Sequence, residues 1–546
     1  MKKKIVSVLL AMATTSLLLA GCGNGAAEEG AGDPTPAGEE GEDEADAGSE
    51  EGEEGGDQAD AGSEADGEED LAEITVAYWT MATAPQETEL VEEAINEITE
   101  AEIGVTVHLN IMEGGVYTAN GAMANGVANG EDYDLVLTSP ALSGHYQVMM
   151  ANGMLMPITD LLEEYAPELM ATVPEDFMTA TSKDGEIYGV SPYCNKVRSM
   201  YWICRNSVLD AAGIDIHSIK TIDDIEAALL KIQETSPDMI PLSGETMSLN
   251  LTFPGFTFGA GDTVAGYDDL GEVTAVAAAV YHDDETHTAV SRYETDEFKT
   301  DIQYLKKWYD AGLVDKDVAT DTATGVAILE KDNIASEFAV MQFDSMAVRG
   351  AAADASYVEL SQSVVGTGSM QQFSWAVPVS CDEPEAAVKF MNMLFTDERI
   401  VNLVDYGVEG VHWEKKADGT IGFPEGLTSE SSGYYMGAGI TALLGNGFLA
   451  YPWEGADPET PKLAKEIMDN AAFSPMLGFT LDTDALGDAY TALCPIANRE
   501  YGPALFCGSA PDGYYEEFIQ KMYAAGLEEY LAEVNRQIQA WMAEQQ

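Results

Sequence analysis

Between Gly23 and Asp70 the chain has no means of building a core. These residues include twenty Asp or Glu, no Lys or Arg, no aromatic residue and no Leu, Ile, Val or Met. With nothing apolar to bury, such a segment cannot offset the entropy of ordering its backbone. Its like charges also repel, so an extended coil is expected. A neutral flexible coil of this length averages ~40 Å end to end, and self-repulsion lengthens it. Folding therefore begins at about Leu71. The acidic stretch reads either as a tether that lifts a folded body off an acidic envelope surface or as a tail for a basic partner, and composition alone does not specify a partner.

Upstream, Lys2, Lys3 and Lys4 precede an uncharged run from Ile5 to Ala20 that ends in small residues. This is the layout of a secretory signal, and it is too short for a membrane span. Leu19-Ala20-Gly21-Cys22 resembles a bacterial lipoprotein cleavage site. That resemblance implies a signal peptide over 1–21, a diacylglyceryl-modified Cys22 as the new first residue, and a lipidated, disordered acidic linker over 22–70. Two acyl chains anchor stably where one binds only marginally. The expected location is the extracytoplasmic face of the cell membrane.

Residues 71–546 carry 76 acidic against 22 basic side chains. A body this acidic argues against nucleic acid and anionic lipid surfaces, both of which need a basic footprint. It is long enough for two domains with real cores, and no later apolar run approaches a membrane span. Cys194, Cys204, Cys381, Cys494 and Cys507 form an odd set with no C-x-x-C and no zinc spacing, and read as buried free thiols. A Cys494–Cys507 bridge stays open if the compartment is oxidising.

The pattern from Leu71 is strand, helix, strand, strand. Ile74–Tyr78 is β-rich, and Gln86–Ala101 places Leu90, Val91, Ala94, Ile95 and Ile98 on one helical stripe. Val105–Ile111 and Tyr133–Leu137 read as strands. Such alternation favours a parallel α/β sheet, whose ligands sit beyond the carboxyl ends of the strands. The tips to watch are Tyr78–Met81, Asn110–Glu113 and Thr138–Ser139. Ser199–Arg205 reads as a further strand, followed by a helix Asn206–Ala212 that stops at Gly213. Phe338–Phe343 and Phe373–Val379 read as short strands, and Pro384 opens a helix expected to run to about Val404. Leu527, Leu531, Val534, Ile538 and Trp541 make one apolar stripe on a C-terminal helix.

Catalytic signatures are missing: there is no G-x-S-x-G, H-E-x-x-H or P-loop. His282 and His287 lie five apart and do not share a helical face, and Asp315, Asp317 and Asp321 lack the EF-hand spacing and glycine. Gly445-Asn-Gly447-Phe-Leu-Ala450 fits a dinucleotide fingerprint by letters only. No metal and no cofactor are expected.

Several stretches, in order, resemble extracellular solute-binding proteins of ABC importers, in the family whose best-known members bind sugars. They are Ala151–Glu163, Lys183–Tyr188, Arg205–Gly213, Tyr304–Lys316, Ser380–Gly410 and Ser474–Gln539, the last similar to the oligosaccharide-binding lipoprotein subgroup. The resemblance implies a two-lobed α/β fold of the periplasmic-binding-protein type (type II) with a hinge between the lobes. One lobe would comprise 71–192 and 345–372, the other 193–344 and 373–546. It also implies a monomeric receptor that captures a small carbohydrate and hands it to ABC permease subunits, with the membrane reached through the diacylglyceryl anchor.

A sugar offers apolar C–H faces and a rim of hydroxyls, so its site needs aromatic platforms and versatile hydrogen-bonding groups. Trp79 at the first strand tip, Tyr193 at the first crossing, Trp375 at the third and Trp413 after Glu409 are the candidate platforms. Asp344 at the second crossing, Asn195, Glu113, Ser139 and Glu409 are the candidate polar partners. Trp202 and Trp308 are assigned to the core. Two other readings remain: a tethered glycoside hydrolase or lyase using paired carboxylates, and the same fold binding a peptide, polyol or organic anion.

Overall fold

The computed structural model describes residues 71–113, 115–139, 145–243, 267–268, 270, 277–282, 284–316, 328, 331–362, 364–437, 443–483 and 485–545. The leader, Cys22 and the acidic segment through Asp70 lie outside the described residues, as do Asp317 and Asp321. Eight strands build the two main sheets: β1 (Ala72–Trp79), β2 (Val105–Met112), β3 (Leu135–Leu137), β4 (Ser199–Arg205), β5 (Ile240–Leu242), β6 (Ile334–Met341), β7 (Ala355–Gln362) and β8 (Trp375–Ala376).

The first sheet has the order β8-β3-β1-β2, with β1, β2 and β3 parallel and β8 antiparallel. Helix Thr88–Ile103 follows β1 and buries Val91, Ile95 and Thr99. It ends at Gly104, which takes φ 69° and returns its N–H to the Thr99 carbonyl, a left-handed cap that suits glycine. The same helix covers the sheet edge. Asn96 Oδ1 accepts the Val107 N–H at 2.7 Å, and Glu92 Oε1 accepts that of Leu109 at 2.6 Å. Edge groups of β2 that would otherwise need water are thereby satisfied.

The second sheet has the order β7-β4-β6-β5. β4 runs antiparallel to both β6 and β7, while β5 joins β6 in parallel. Ser199 to Cys204 are buried without alternation, as befits a central strand covered on both faces. Trp202 and Trp308 lie in its core as assigned, and Trp308 stacks on Phe338 at 6.3 Å with 15° between the rings. A neighbouring helical core gathers Tyr293, Phe298 and Phe518 with Leu527, Tyr530, Val534 and Ile538 of helix Leu527–Glu544. It joins the second sheet's core through helix Asp296–Asp310, which supplies Phe298 to one and Leu305 and Trp308 to the other.

Among the described residues, three segments cross between the sheets. Val190 exchanges backbone hydrogen bonds with Trp375 at 2.8 and 2.9 Å, after which the chain runs through Tyr193 into β4. A second segment runs from the end of β7 through Val365 and Met370 to β8. The third pairs with it: Val365 donates to Ala472 at 2.8 Å and its carbonyl accepts from Ser474 at 2.9 Å.

Strand pairing corrects the division of the lobes. The sequence reading gave 345–372 to the first lobe and 373–546 to the second, yet β7 pairs with β4 in the second sheet and β8 with β3 in the first. After β6 the chain does not cross. Helix Phe343–Ala353 is followed by Asp354 at φ 49°, whose carbonyl accepts the Asn206 N–H, and the chain turns back into the same sheet. Helices Pro384–Thr396 and Glu398–Tyr406 then place Phe390, Leu394, Phe395 and Ile400 in the first lobe's core. The lobes are therefore 71 to about 190 with about 365 to 472, and about 193 to 362 with about 474 to 545.

Two element boundaries also differ. The helix expected from Pro384 to Val404 breaks at Asp397, whose backbone is extended (φ −107°, ψ 110°) and whose Oδ1 caps Arg399 at 2.8 Å. An aspartate that can bond its own downstream N–H competes with helical continuation. Of the strand expected over Phe373–Val379 only Trp375–Ala376 forms.

Candidate functional site

The carboxyl edge of the first sheet brings together the tips that the strand pattern singles out. Trp79 ends β1 beside Met112 at the end of β2, and Glu113 follows, exposed. Thr138 and Ser374 bind each other across the next step, Thr138 N–H to the Ser374 carbonyl and Ser374 N–H to Thr138 Oγ1, both at 2.9 Å. Ser139 lies next along β3 in a bridge with His145. The Trp79 ring packs on Phe373 at 5.5 Å between centroids, tilted 38°. Trp79 itself is fully buried in this conformation.

Three side-chain atoms at this edge are buried without a hydrogen-bond partner: Trp79 Nε1, Ser374 Oγ and His145 Nε2. Buried polar atoms are nearly always paired, and an orphan costs about 1–3 kcal/mol. The His145 ring is neutral, because burial pulls its pKa down to about 4. Its Nδ1 accepts the Gln147 N–H at 3.3 Å, capping the short helix Tyr146–Ala151. A neutral imidazole that accepts at Nδ1 carries its proton at Nε2, so the orphan at His145 is a donor.

The second sheet presents its own edge to the crossings. Ser199 at the start of β4 pairs with Met341 at the end of β6 and with Gln362 at the end of β7. Just beyond β6, Asp344 occupies the first turn of helix Phe343–Ala353. The residue is half-buried, but its Oδ1 is screened from water and unpartnered, and burial raises the pKa of the carboxyl. Asn195, on the first crossing, spends its Oδ1 on the Val197 N–H at 3.0 Å and leaves its buried Nδ2 unpaired. Lys196 is buried against the Cys194 thiol, and burial lowers the lysine pKa and raises that of the cysteine. Arg198 Nη2 reaches Gln372 Oε1 on the returning segment at 2.9 Å.

The other predicted residues lie elsewhere in the packing. Tyr193 stands edge-on to Phe177 and Phe448, with Lys465 Nζ 3.2 Å from its hydroxyl. Trp375 is buried beneath the sheet edge, against Tyr78, and donates to the Leu444 carbonyl at 3.3 Å. Trp413 donates to the Gly407 carbonyl at 2.8 Å and packs on Tyr451. Glu409 is exposed and pairs with Lys415 at 3.6 Å. Trp79, Ser139 and Glu113 thus share one edge, and Tyr193, Asn195 and Asp344 belong to the crossings and the second edge. Trp375 lies below, and Trp413 with Glu409 forms a separate loop. The five downstream cysteines are free thiols, all buried except the half-buried Cys381.

Sequence reasoning missed His145, Phe373 and Ser374. Their signal was faint: a lone histidine five residues past a proline, and a Phe-Ser pair inside a stretch read as continuous strand.

Residues 84–399 match the family of bacterial extracellular solute-binding proteins, and residues 475–543 match a domain of unknown function (DUF3502). The first match spans more than half of the chain, which belongs to the bacterial extracellular solute-binding proteins. A carbohydrate ABC transporter substrate-binding protein of Streptococcus pneumoniae is 24% identical over 449 residues, covering 81% of this chain and 86% of that protein. The polygalacturonan/rhamnogalacturonan-binding protein YtcQ of Bacillus subtilis is 24% identical over half of this chain and 54% of its own length. Among solved structures, the N-glycan transport solute-binding protein NgtS of Streptococcus pneumoniae superposes with a TM-score of 0.72 at 21% identity, covering 87% of this chain and all of that one. The fold is the two-lobed α/β fold of periplasmic binding proteins.

Proposed function

We propose that this protein captures a carbohydrate, and specifically an oligosaccharide, between its lobes and delivers it as a monomer to an ABC permease. The observation that carries the reading is the carboxyl edge of the first sheet, where Trp79 and Phe373 pack on each other and three hydrogen-bonding atoms are without protein partners. Aromatic surface next to unsatisfied polar atoms is the complement of a sugar, and the carboxyl end of a parallel sheet is where such folds bind ligand. The relatives named for carbohydrates, N-glycans and pectic polymers support the same class. Transport then follows from differential affinity: a ligand that contacts both lobes only when they are closed shifts the population toward closure.

Cys22, diacylated, would hold the receptor at the extracytoplasmic face of the membrane, and the acidic segment would let it range around the permease at high effective concentration. Trp79, Ser139 and Glu113 on the first edge and Asn195 and Asp344 opposite are the proposed contacts. Tyr193 and Trp375 are packed in the first lobe's core and Trp413 with Glu409 forms a separate loop, so these four are left out of the proposed contacts.

Titration of the protein with Man5GlcNAc, kestose, oligogalacturonides, peptides and amino acids tests the reading, with tryptophan fluorescence and thermal shift as readouts. A saturable response to one glycan class without product release is expected. Responses to peptides or amino acids alone would sink the carbohydrate reading.

A further inference from the structure

The three orphaned atoms on the first sheet's edge are not equivalent, and their chemistry narrows what can meet them. Trp79 Nε1 is a donor by nature, and His145 Nε2 is a donor because Nδ1 is committed to the Gln147 N–H. The ring's neutrality removes any charge that would select an anion. Ser374 Oγ, on the residue whose N–H binds Thr138 Oγ1, can donate or accept. Elsewhere among the described residues, unpartnered buried atoms are also found, as at Trp202, Ser291 and both carboxyl oxygens of Asp405. Here three belong to residues joined along one sheet edge: Trp79 packs on Phe373, Ser374 follows Phe373 and binds Thr138, and the next residue, Ser139, bridges to His145.

We propose that His145, with Trp79 and Ser374, forms a neutral, donor-rich subsite that binds the acceptor oxygens of one uncharged sugar residue of the ligand. His145 is the specificity-determining member. The subsite rests on the carbohydrate reading above and sharpens it: the residue bound there offers hydroxyl, ring or carbonyl oxygens and carries no charge. A carboxylate would lack a cationic partner, and an ammonium group would find only the Ser374 hydroxyl able to accept. In the conformation described the three atoms are screened from solvent, so the ligand oxygens replace whatever fills the space beside them.

The test uses the full chain and three variants, titrated by calorimetry with Man5GlcNAc, kestose and trigalacturonate. His145→Phe keeps ring volume without a donor, His145→Gln restores an amide donor, and Ser374→Ala removes the hydroxyl alone. Loss of a buried hydrogen bond to ligand is expected to weaken binding roughly tenfold to hundredfold in His145→Phe and Ser374→Ala. His145→Gln should stay within several-fold of the parent.

Parent-like affinity in both His145→Phe and Ser374→Ala overturns the subsite and leaves the carbohydrate reading standing, since the orphans are then met by internal water. If His145→Phe does not fold, Ser374→Ala decides. Preference of the parent for trigalacturonate overturns the claim of an uncharged residue. Silence of the parent toward every glycan overturns the carbohydrate reading and the subsite with it.

Discussion

The hydroxyl of Ser191 donates to the carbonyl of Met370 at 2.6 Å, and both residues are buried. This bond ties the first crossing to the second at the base of the two lobes. The neighbouring Val190–Trp375 and Val365–Ser474 pairs complete a three-segment hinge. Its members come from positions up to 284 residues apart, so the hinge exists only once both sheets are formed.

Replacing Ser191 with Ala leaves the Met370 carbonyl buried and unpaired at that point. A loss of about 1–3 kcal/mol is expected, read as a lower urea midpoint at unchanged m-value. An unchanged midpoint would mean that the carbonyl finds another donor.

Asp405 places its carboxyl among Tyr78, Tyr434 and the first lobe's core, with both oxygens unpartnered. Tyr434 donates instead to the Val404 carbonyl at 2.8 Å. Burial raises the pKa of this aspartate well above its ordinary value. Its contribution to stability is therefore complete below the unfolded pKa of ~3.9 and is lost as pH rises toward the folded pKa, by up to about 1.4 kcal/mol per pH unit. Stability of Asp405→Asn relative to the parent should rise with pH above about 4. Parallel stability curves for the two proteins would show that this carboxyl ionises normally in the folded state.

Glu337 and Arg349 form an ion pair inside the second lobe, and Glu337 also accepts the Ile328 N–H at 3.0 Å. Arg349→Met strands the carboxylate in the core and should cost about 3–5 kcal/mol, because breaking a buried pair is worse than removing it. Glu337→Leu combined with Arg349→Met should recover a large part of that loss. Chemical denaturation of the two variants side by side makes the comparison.

Cys22→Ser would remove the proposed acceptor for a lipid. Fractionation should find the protein released from the membrane, and uptake at low ligand concentration should fall if the anchor raises the effective concentration beside the permease. Release without any change in uptake would leave the lipid as an address only.

Local patterns were read well where periodicity and end signals agreed. The strand Ser199–Arg205 and the helix Asn206–Ala212, stopped by Gly213 at φ 60°, follow the expected bounds. The apolar stripe of the last helix buries Leu527, Val534 and Ile538 as read. Lobe assignment failed at Asp344 to Trp375, because whether a chain crosses or turns back is decided by which strand it pairs with. Gly445 shows the same limit. Its letters suggested a nucleotide loop, but a Cβ there would lie 2.2 Å from the Leu394 carbonyl, so close backbone approach is what calls for glycine.

By itself the sequence determined that folding starts near Leu71, that the body is α/β, that its surface is strongly acidic and that the family is one of solute-binding proteins. The family follows from the resemblance of several stretches taken in order, and the rest from composition and short-range periodicity, which act over a few residues. Tertiary structure decided which segments share a lobe, that Trp79 meets Phe373, and that His145 is a donor without a protein partner. Each of these depends on side chains distant in sequence being brought to one sheet edge, and on hydrogen bonds left unmade there, which no local pattern records.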